Sequence, residues 1–120
     1  MSRLRATNVT RACELGDRIV PARTRWMRLR GMLGRPEPEP GEGLLLEPCR
    51  AVHMYWMRYA LDVAFLASDG EVVATYHELQ PSRTSDRHGS AAMALELRAG
   101  TLAASGTQVG DRIQLTRYEG

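Results

Sequence analysis

Short runs of strand-forming residues, separated by turn-forming residues, constrain the fold of this chain more than any other feature. The runs are rich in β-branched, aromatic and leucine side chains, and their recurrence is typical of a β sandwich or barrel. We therefore predict a mainly β fold. An initial hairpin is predicted over residues 5–22, turning at Leu15-Gly16-Asp17. Further strands are predicted at 43–47, 50–56, 61–67, 71–79, 92–97 and 112–118.

Two short helical segments interrupt this pattern. Thr24 has the side chain of a helix N-cap, and the apolar spacing after it predicts a helix over residues 25–33. A helical turn is predicted near residues 99–106, closed by Gly106. Residues 35–43 alternate proline with glutamate and predict a stiff, extended loop, because proline cannot donate to a sheet ladder.

The Asp69-Gly70 pair is the strongest hairpin signal in the chain. A two-residue turn there would pair residues across the two strands whose numbers sum to 139. A three-residue turn with a bulge would shift this register and remove the last of the pairs. The predicted pairs are Phe65 with Ala74, Val63 with Tyr76, and Asp62 with His77.

Length and composition indicate a soluble globular protein. With 120 residues, of which 43% are hydrophobic, we expect one domain over residues 1–120, present as a monomer or weak dimer. The first residues lack the apolar run of a signal peptide, and no segment is apolar enough to span a membrane. Cys13 and Cys49 do not form a CxxC motif, so two reduced thiols in the cytoplasm are the simplest expectation.

Charge divides the chain unevenly. Residues 1–35 carry a net charge of +7, whereas residues 36–120 carry −5. All sixteen basic residues are arginines. The basic part has no accompanying RNA-binding, zinc-finger or helix-turn-helix motif, so nucleic acid is not expected as a partner.

Four stretches resemble one known family. The core "GLLLEPCRAVHMYWMRYALDVAFLASDG", with "RLRGMLGR", "ALELRAG" and "GTQVGDRI", is similar to the bacterial and archaeal domain of unknown function 192 (DUF192). The likeness covers about residues 24–115. Ala60 and Arg98 stand where that family commonly has proline. The resemblance implies a compact, jelly-roll-like β fold with small helical insertions, and it implies no activity.

Cys49, His53 and Met57 are soft-metal ligand types, but we predict no metal site. If 50–56 is a strand, positions four apart are separated by about 13 Å, too far to share one ion. The same spacing separates Cys49 from His53 as nucleophile and base. A buried structural thiol is the expectation, and no cofactor is predicted.

Arg58 and Asp62 lie among apolar positions, where a charge requires a partner or a ligand. A structural ion pair between them, or with Glu96, is one interpretation; a ligand-orienting pair at the mouth of a cavity is the other. Small residues near Asp62 and Glu96 leave room for a small molecule or a covering helix. The candidate ligand-binding residues are Arg58, Asp62, Trp56, Glu96, His53 and His77.

These candidates support three functional hypotheses. The leading hypothesis is a non-catalytic binding module for a small polar ligand or a partner's peptide. The first alternative is a small hydrolase or transferase in which Asp62 and Glu96 act as an acid–base pair. The second alternative is an interaction subunit that presents the basic helix 25–33 to an acidic partner.

Overall fold

The computed structural model describes residues 2–24, 27 and 30–119, and its regular elements are mainly strands. For Ser2 and Glu119, the structure describes the backbone and not the side chain. One short helix, α1, spans Thr101–Ser105 and ends at Gly106, as predicted. The strands are β1 Ser2–Asn8, β2 Cys13–Ala22, β3 Glu42–Leu46, β4 Leu61–Leu66, β5 Val72–Leu79, β6 Met93–Arg98 and β7 Ile113–Glu119.

The seven strands form one mixed sheet in the order β5-β4-β6-β3-β2-β1-β7. Only the β2–β3 contact is parallel among the strand pairs of the described chain; the other neighbours are antiparallel. The sheet curls into a half-barrel, and a bridge between Glu71 and Arg112 joins its two edge strands near one end. The mainly β prediction is confirmed, but the strands form one curled sheet and not the two packed sheets of a sandwich.

The two faces of the sheet bury different cores. One face, the inner core, includes Ile19, Leu66, Leu95 and Leu102 of α1. The opposite face, the outer core, is covered by the segments that connect strands. Its buried members include Leu44, Leu46, Met54, Leu61, Val63 and Phe65. Because side chains alternate along a strand, neighbouring residues of β4 or β6 contribute to different cores.

The predicted helix at 25–33 lies partly outside the described residues. Within them, the Met27 backbone N–H donates to Thr24 Oγ1 at 3.1 Å, which is the predicted N-cap contact. The Gly31 N–H donates to the Met27 carbonyl at 2.9 Å. The apolar spacing that predicts this helix is that of Trp26, Leu29 and Leu33, and its first two residues lie outside the described ranges.

Two local predictions were wrong. The first hairpin turns at residues 9–12, and Leu15-Gly16-Asp17 lies inside β2 beside an irregularity in the ladder. Residues 50–56 form no strand; the segment is a turn-rich connection with a single bridge at His53. Its aromatic composition resembles a strand, but Trp56 has a left-handed φ of 63°, which ends any extended run.

The Asp69-Gly70 hairpin forms with a three-residue connection. The Gly70 N–H donates to the Ala67 carbonyl, and the Ala67 N–H donates to Glu71. A second irregularity, between the Phe65 and Leu66 pairings, restores the predicted pairs of Phe65 with Ala74 and Val63 with Tyr76. The predicted Asp62–His77 pair was wrong, because the ladder shifts again and Leu61 pairs with Leu79.

No helix in the described ranges has the length and apolarity that a membrane crossing requires.

Candidate ligand-binding cavity

Glu96 lies near the middle of the sheet, on β6. Its neighbours across the ladder are Leu44 of β3 and Val63 of β4, both buried in the outer core. The alternating pattern of β6 forces this position to face the outer core, although its side chain is acidic. Glu96 is only 5% exposed. A carboxyl group is therefore held among aliphatic side chains.

One oxygen of the Glu96 carboxyl, Oε1, is buried without a hydrogen-bond partner among the described residues. Burial raises the pKa of Glu96 to about 7, and the positive charge of Arg35 opposes the rise. Because desolvation disfavours the charged form, this carboxyl is protonated in a substantial fraction of molecules near neutral pH.

A cavity of about 160 Å³ opens onto this carboxyl. Its walls come from three sources: the sheet, residues 30–33, and the connection 49–57. Gly31 approaches the acid closely, since a Cβ built on it would lie 3.6 Å from Glu96 Oε1. The described residues along the cavity are Arg30, Gly31, Met32, Leu33, Leu46, Cys49, Ala51, Val52, His53, Met54, Tyr55, Met57, Leu61 and Glu96.

Backbone hydrogen bonds hold the connection over the cavity. The Met54 N–H donates to the Arg83 carbonyl, and the Ser82 N–H donates to the Met54 carbonyl, both at 2.8 Å. Met54 is only 1% exposed and points into the outer core. The hydroxyl of Tyr59 donates to the Arg35 carbonyl at 2.9 Å, which ties residues 32–36 to the same wall.

Asp62 lies on the opposite face of the sheet. It pairs across the ladder with Leu97, which belongs to the inner core, and its side chain is fully buried. Its Oδ1 accepts the Glu78 N–H at 2.8 Å, and its Oδ2 accepts the N–H groups of Gly100 and Leu102 at 3.1 and 2.8 Å. These three backbone amides satisfy the carboxylate and fix the start of α1.

The proposed grouping of Asp62 with Glu96 was therefore wrong. Asp62 pairs with Leu97, whereas Glu96 pairs with Val63, the next residue along β4. Because side chains alternate along a strand, the two carboxyls lie on different faces of the sheet. The predicted Arg58–Asp62 ion pair was also wrong, because Arg58 is exposed and no ion pair joins it to Asp62 within the described chain.

The other candidates divide between the cavity and the surface. His53 lines the cavity and stacks on Tyr55, with 4.9 Å between ring centroids. Trp56 is 78% exposed and lies beside the cavity wall. His77 is exposed on β5, away from the cavity lining. Of the six candidates, Glu96 and His53 are thus the two that the cavity brings together.

Sequence reasoning missed the methionine wall and one histidine. Met32, Met54 and Met57 line the cavity, and their recurrence in a chain with six methionines was the available signal. His88 accepts or donates a hydrogen bond with the Tyr76 hydroxyl at 2.7 Å and packs against Phe65. It supports the outer core outside the cavity.

The spacing argument against a shared Cys49–His53 site was wrong in its premise. Both residues and Met57 line the one cavity, because the segment turns instead of extending. Even so, no group of three or more His, Cys, Asp or Glu side chains in the described ranges is arranged to hold a metal ion. The Cys49 thiol contacts the Ala51 carbonyl at 3.2 Å.

Comparison with known proteins gives a family and a fold. The model of the DUF192 family, described as "Uncharacterized ACR", matches residues 9–115. No curated protein matches the chain. A crystal structure of a protein of unknown function from Novosphingobium aromaticivorans DSM 12444 is similar at 22% identity and a TM-score of 0.78, covering 92% of this chain and 82% of that one.

A second crystal structure has the same fold. It is that of a protein from Sinorhizobium meliloti 1021 described as a "putative transcription regulator". The two chains are 28% identical, with a TM-score of 0.74 and coverage of 94% of this chain and 92% of the other.

Proposed function

The chain belongs to the uncharacterised DUF192 family, and we propose that it is a non-catalytic binding module whose ligand enters the Glu96 cavity. The ligand is a small molecule or a side chain of a partner's peptide. One observation carries the proposal: a buried carboxyl oxygen faces a cavity without a hydrogen-bond partner among the described residues. An unsatisfied buried polar group costs about 1–3 kcal/mol, and a bound ligand that donates to it removes that cost.

The dimensions of the cavity support a small ligand group. Its volume of about 160 Å³ is close to that of an engineered cavity of roughly 150 Å³ that binds benzene. Apolar side chains with a small number of polar groups, here including Glu96, His53 and Tyr55, are the usual composition of small-molecule sites. Methionine adds adaptability, because its unbranched side chain fits differently shaped ligands.

The positions of the acids favour binding over the hydrolase or transferase alternative. Acid–base catalysis of the predicted kind needs Asp62 and Glu96 to reach one substrate, and they face opposite cores. Glu96 is the one acidic side chain among the described residues that line the cavity. A single carboxyl in apolar surroundings is suited to recognition.

A role in nucleic-acid binding, which the name given to the Sinorhizobium protein suggests, has less support. Arg5, Arg11, Arg18 and Arg23 of the basic amino-terminal part each lie within 4 Å of a carboxylate. Pairing of this kind leaves less positive charge for phosphates. We place the module in the cytoplasm as part of the proposal, since Cys13 and Cys49 are not joined in a disulfide.

A fragment screen by thermal shift tests the proposal. A ligand that binds only the native state raises the melting temperature by mass action. The variant Ala51→Phe places a bulky ring at an exposed position of the cavity lining, and Ala103→Phe makes the same change at an exposed position of α1. We expect fragments that stabilise the parent and Ala103→Phe but not Ala51→Phe. If no fragment distinguishes the two variants, the binding role is refuted.

A further inference from the structure

We propose that the ligand group in the cavity is a primary ammonium on a short unbranched alkyl chain, donating its N–H groups to Glu96. The inference rests on the proposed binding function and names the class of ligand. The ammonium belongs either to a free amine or to a lysine side chain.

The charged side chains in and near the cavity favour a cationic ligand group. Within the described part of the lining, Glu96 is the acidic side chain, and its Oε1 receives no hydrogen bond from a described residue. Two described arginines near the cavity hydrogen-bond to backbone carbonyls: Arg30 Nε donates to the Leu33 carbonyl at 3.1 Å, and Arg35 Nε donates to the Gly31 carbonyl at 3.3 Å. Buried charges in proteins are ordinarily paired and hydrogen-bonded, so a cation that donates to Oε1 would stabilise the ionised carboxylate of Glu96.

Donor chemistry favours ammonium over other polar groups. An ammonium carries three donors and no acceptor, so it complements a carboxyl whose Oε1 receives no hydrogen bond from a described residue. A guanidinium would bring five donors into a cavity with one carboxyl, leaving several unsatisfied against aliphatic walls. A ligand carboxylate or phosphate would place like charges together.

The cavity walls determine the kind of group that carries the nitrogen. Leu46, Leu61, Met32 and Met54 line the approach to the acid, and all four are at most 6% exposed. These side chains contact a hydrocarbon chain without requiring hydrogen bonds. A volume close to that of the benzene-binding cavity accommodates about six heavy atoms, as in an amine with five carbons.

The affinity of the cavity for an ammonium ligand should depend on pH, because Glu96 must lose a proton to bind a cation. A cation requires the ionised carboxylate, so its affinity should rise with pH until Glu96, with a pKa of about 7, is fully ionised. Among the described residues, the other titratable or charged groups around the cavity are Arg30, Arg35, Glu37, Cys49, His53, Tyr55 and Tyr59. The arginines stay charged over this range, and burial raises the pKa of Tyr59, so its hydroxyl stays neutral.

The experiment compares n-pentylamine with 1-pentanol, which has the same chain but no charge. Calorimetric titrations at pH 6 and pH 8 use the parent and Glu96→Gln, which keeps the size of the side chain. For a carboxyl with a pKa of about 7, the ionised fraction rises roughly tenfold between these two pH values. We expect pentylamine to bind the parent about tenfold more tightly at pH 8, and Glu96→Gln to show weak, pH-independent binding.

A second probe distinguishes a free amine from a lysine side chain, and the pattern of negative results distinguishes failure of the ammonium inference from failure of the binding proposal. If Nα-acetyl-lysine methylamide binds as tightly as pentylamine, the source is a partner's lysine; if pentylamine alone binds, the source is a free amine. Either result supports the inference. Equal binding of pentanol and pentylamine, or affinity independent of pH, overturns it while leaving the binding module intact. If neither these probes nor any fragment binds the parent in a way that Ala51→Phe blocks, both proposals fail.

Discussion

Glu96 shows how a surrounding core can set the pKa of a single side chain. The strand pattern gives it an aliphatic position, and the ladder neighbours Leu44 and Val63 offer no donor. Burial therefore raises its pKa from 4.5 to about 7. A raised carboxyl pKa means that the folded state holds the proton more tightly than the unfolded state.

That difference predicts how stability depends on pH. Below about pH 4.5 the group is protonated in both states; between 4.5 and 7 only the unfolded state loses the proton, so stability falls as the pH rises. The shift of about 2.5 units corresponds to at most about 3 kcal/mol, and most of it should be lost by pH 7.5.

Urea unfolding at pH 5 and pH 8 checks this prediction. In Glu96→Gln the fall should largely disappear, so the variant gains stability relative to the parent as the pH rises. Glu71→Gln, at an exposed position, is the matched control and should behave like the parent. Parallel curves for the parent and Glu96→Gln would contradict the raised pKa.

Arg58, in contrast to Glu96, is a charged residue that the fold leaves exposed. Replacing it therefore leaves no uncompensated buried charge. We expect Arg58→Met to change the free energy of unfolding by less than about 0.5 kcal/mol, as for most surface substitutions. Equilibrium unfolding in urea measures the change, and a loss of about 2 kcal/mol or more would show that Arg58 has a structural partner.

At the scale of elements, Asp62 joins three backbone segments that the sheet alone would not connect. It lies on β4, and its carboxylate receives the N–H of Glu78 on β5 and those of Gly100 and Leu102 at the start of α1. Gly100, the N-cap of α1, supplies no side-chain acceptor, so Asp62 takes over the capping function from a neighbouring strand.

Asp62→Asn should therefore destabilise the fold by about 2–4 kcal/mol. An asparagine has one acceptor oxygen, so at least one buried backbone amide faces the NH₂ group without an acceptor. Asp86→Asn, at an exposed position, is the control. The measurement is urea unfolding together with hydrogen exchange at Leu102, whose amide should exchange faster. A loss below about 0.5 kcal/mol would show that the three contacts are weak.

The elements differ in how far the sequence could predict them. Strands β3 to β7 were predicted to within about two residues, because their apolar runs are bounded by clear turns. Residues 50–56 were not, since side-chain type alone does not reveal the left-handed backbone of Trp56. The cavity depends on that turn, which brings Cys49, His53 and Met57 to one place. A strand there would have dispersed them.

Register explains the remaining difference at the site. Asp62 and Glu96 were assigned correctly as acids among small or apolar residues, but the relative phase of β4 and β6 depends on which residues pair. A shift of one residue would place both carboxyls on the same face. The pairing is set by long-range packing, which no local pattern in either strand encodes.

At the scale of the whole molecule, the curled sheet is held by contacts between segments far apart in sequence. The Asp111 carboxylate accepts hydrogen bonds from Arg11 and from Asn8 at the end of β1. The hydrogen bond from Arg11 is the main reason that the pKa of Asp111 falls to about 2. This contact lies next to the bridge between Glu71 and Arg112, which joins the edge strands.

Gly70 makes that joining possible. The Ile113 N–H donates to the Gly70 carbonyl at 2.8 Å, and the Val72 N–H donates to the Asp111 carbonyl at the same distance. Gly70 has a φ of +92°, and a Cβ built on it would lie 2.2 Å from the Ile113 carbonyl oxygen. A side chain there is thus opposed both by the backbone conformation and by the neighbouring strand.

Gly110 separates these two effects, because its φ of +97° is similar but an added Cβ would meet open space. Gly110→Ala should cost only the left-handed strain of about 1–2 kcal/mol. Gly70→Ala carries the same strain and must also move β7 away, so we expect an additional loss of at least about 2 kcal/mol. Urea unfolding measures the difference, and hydrogen exchange at Val72 and Ile113 should accelerate in Gly70→Ala alone. Equal losses in the two variants would mean that the edge strands separate freely, and that the half-barrel is held by its cores without this contact.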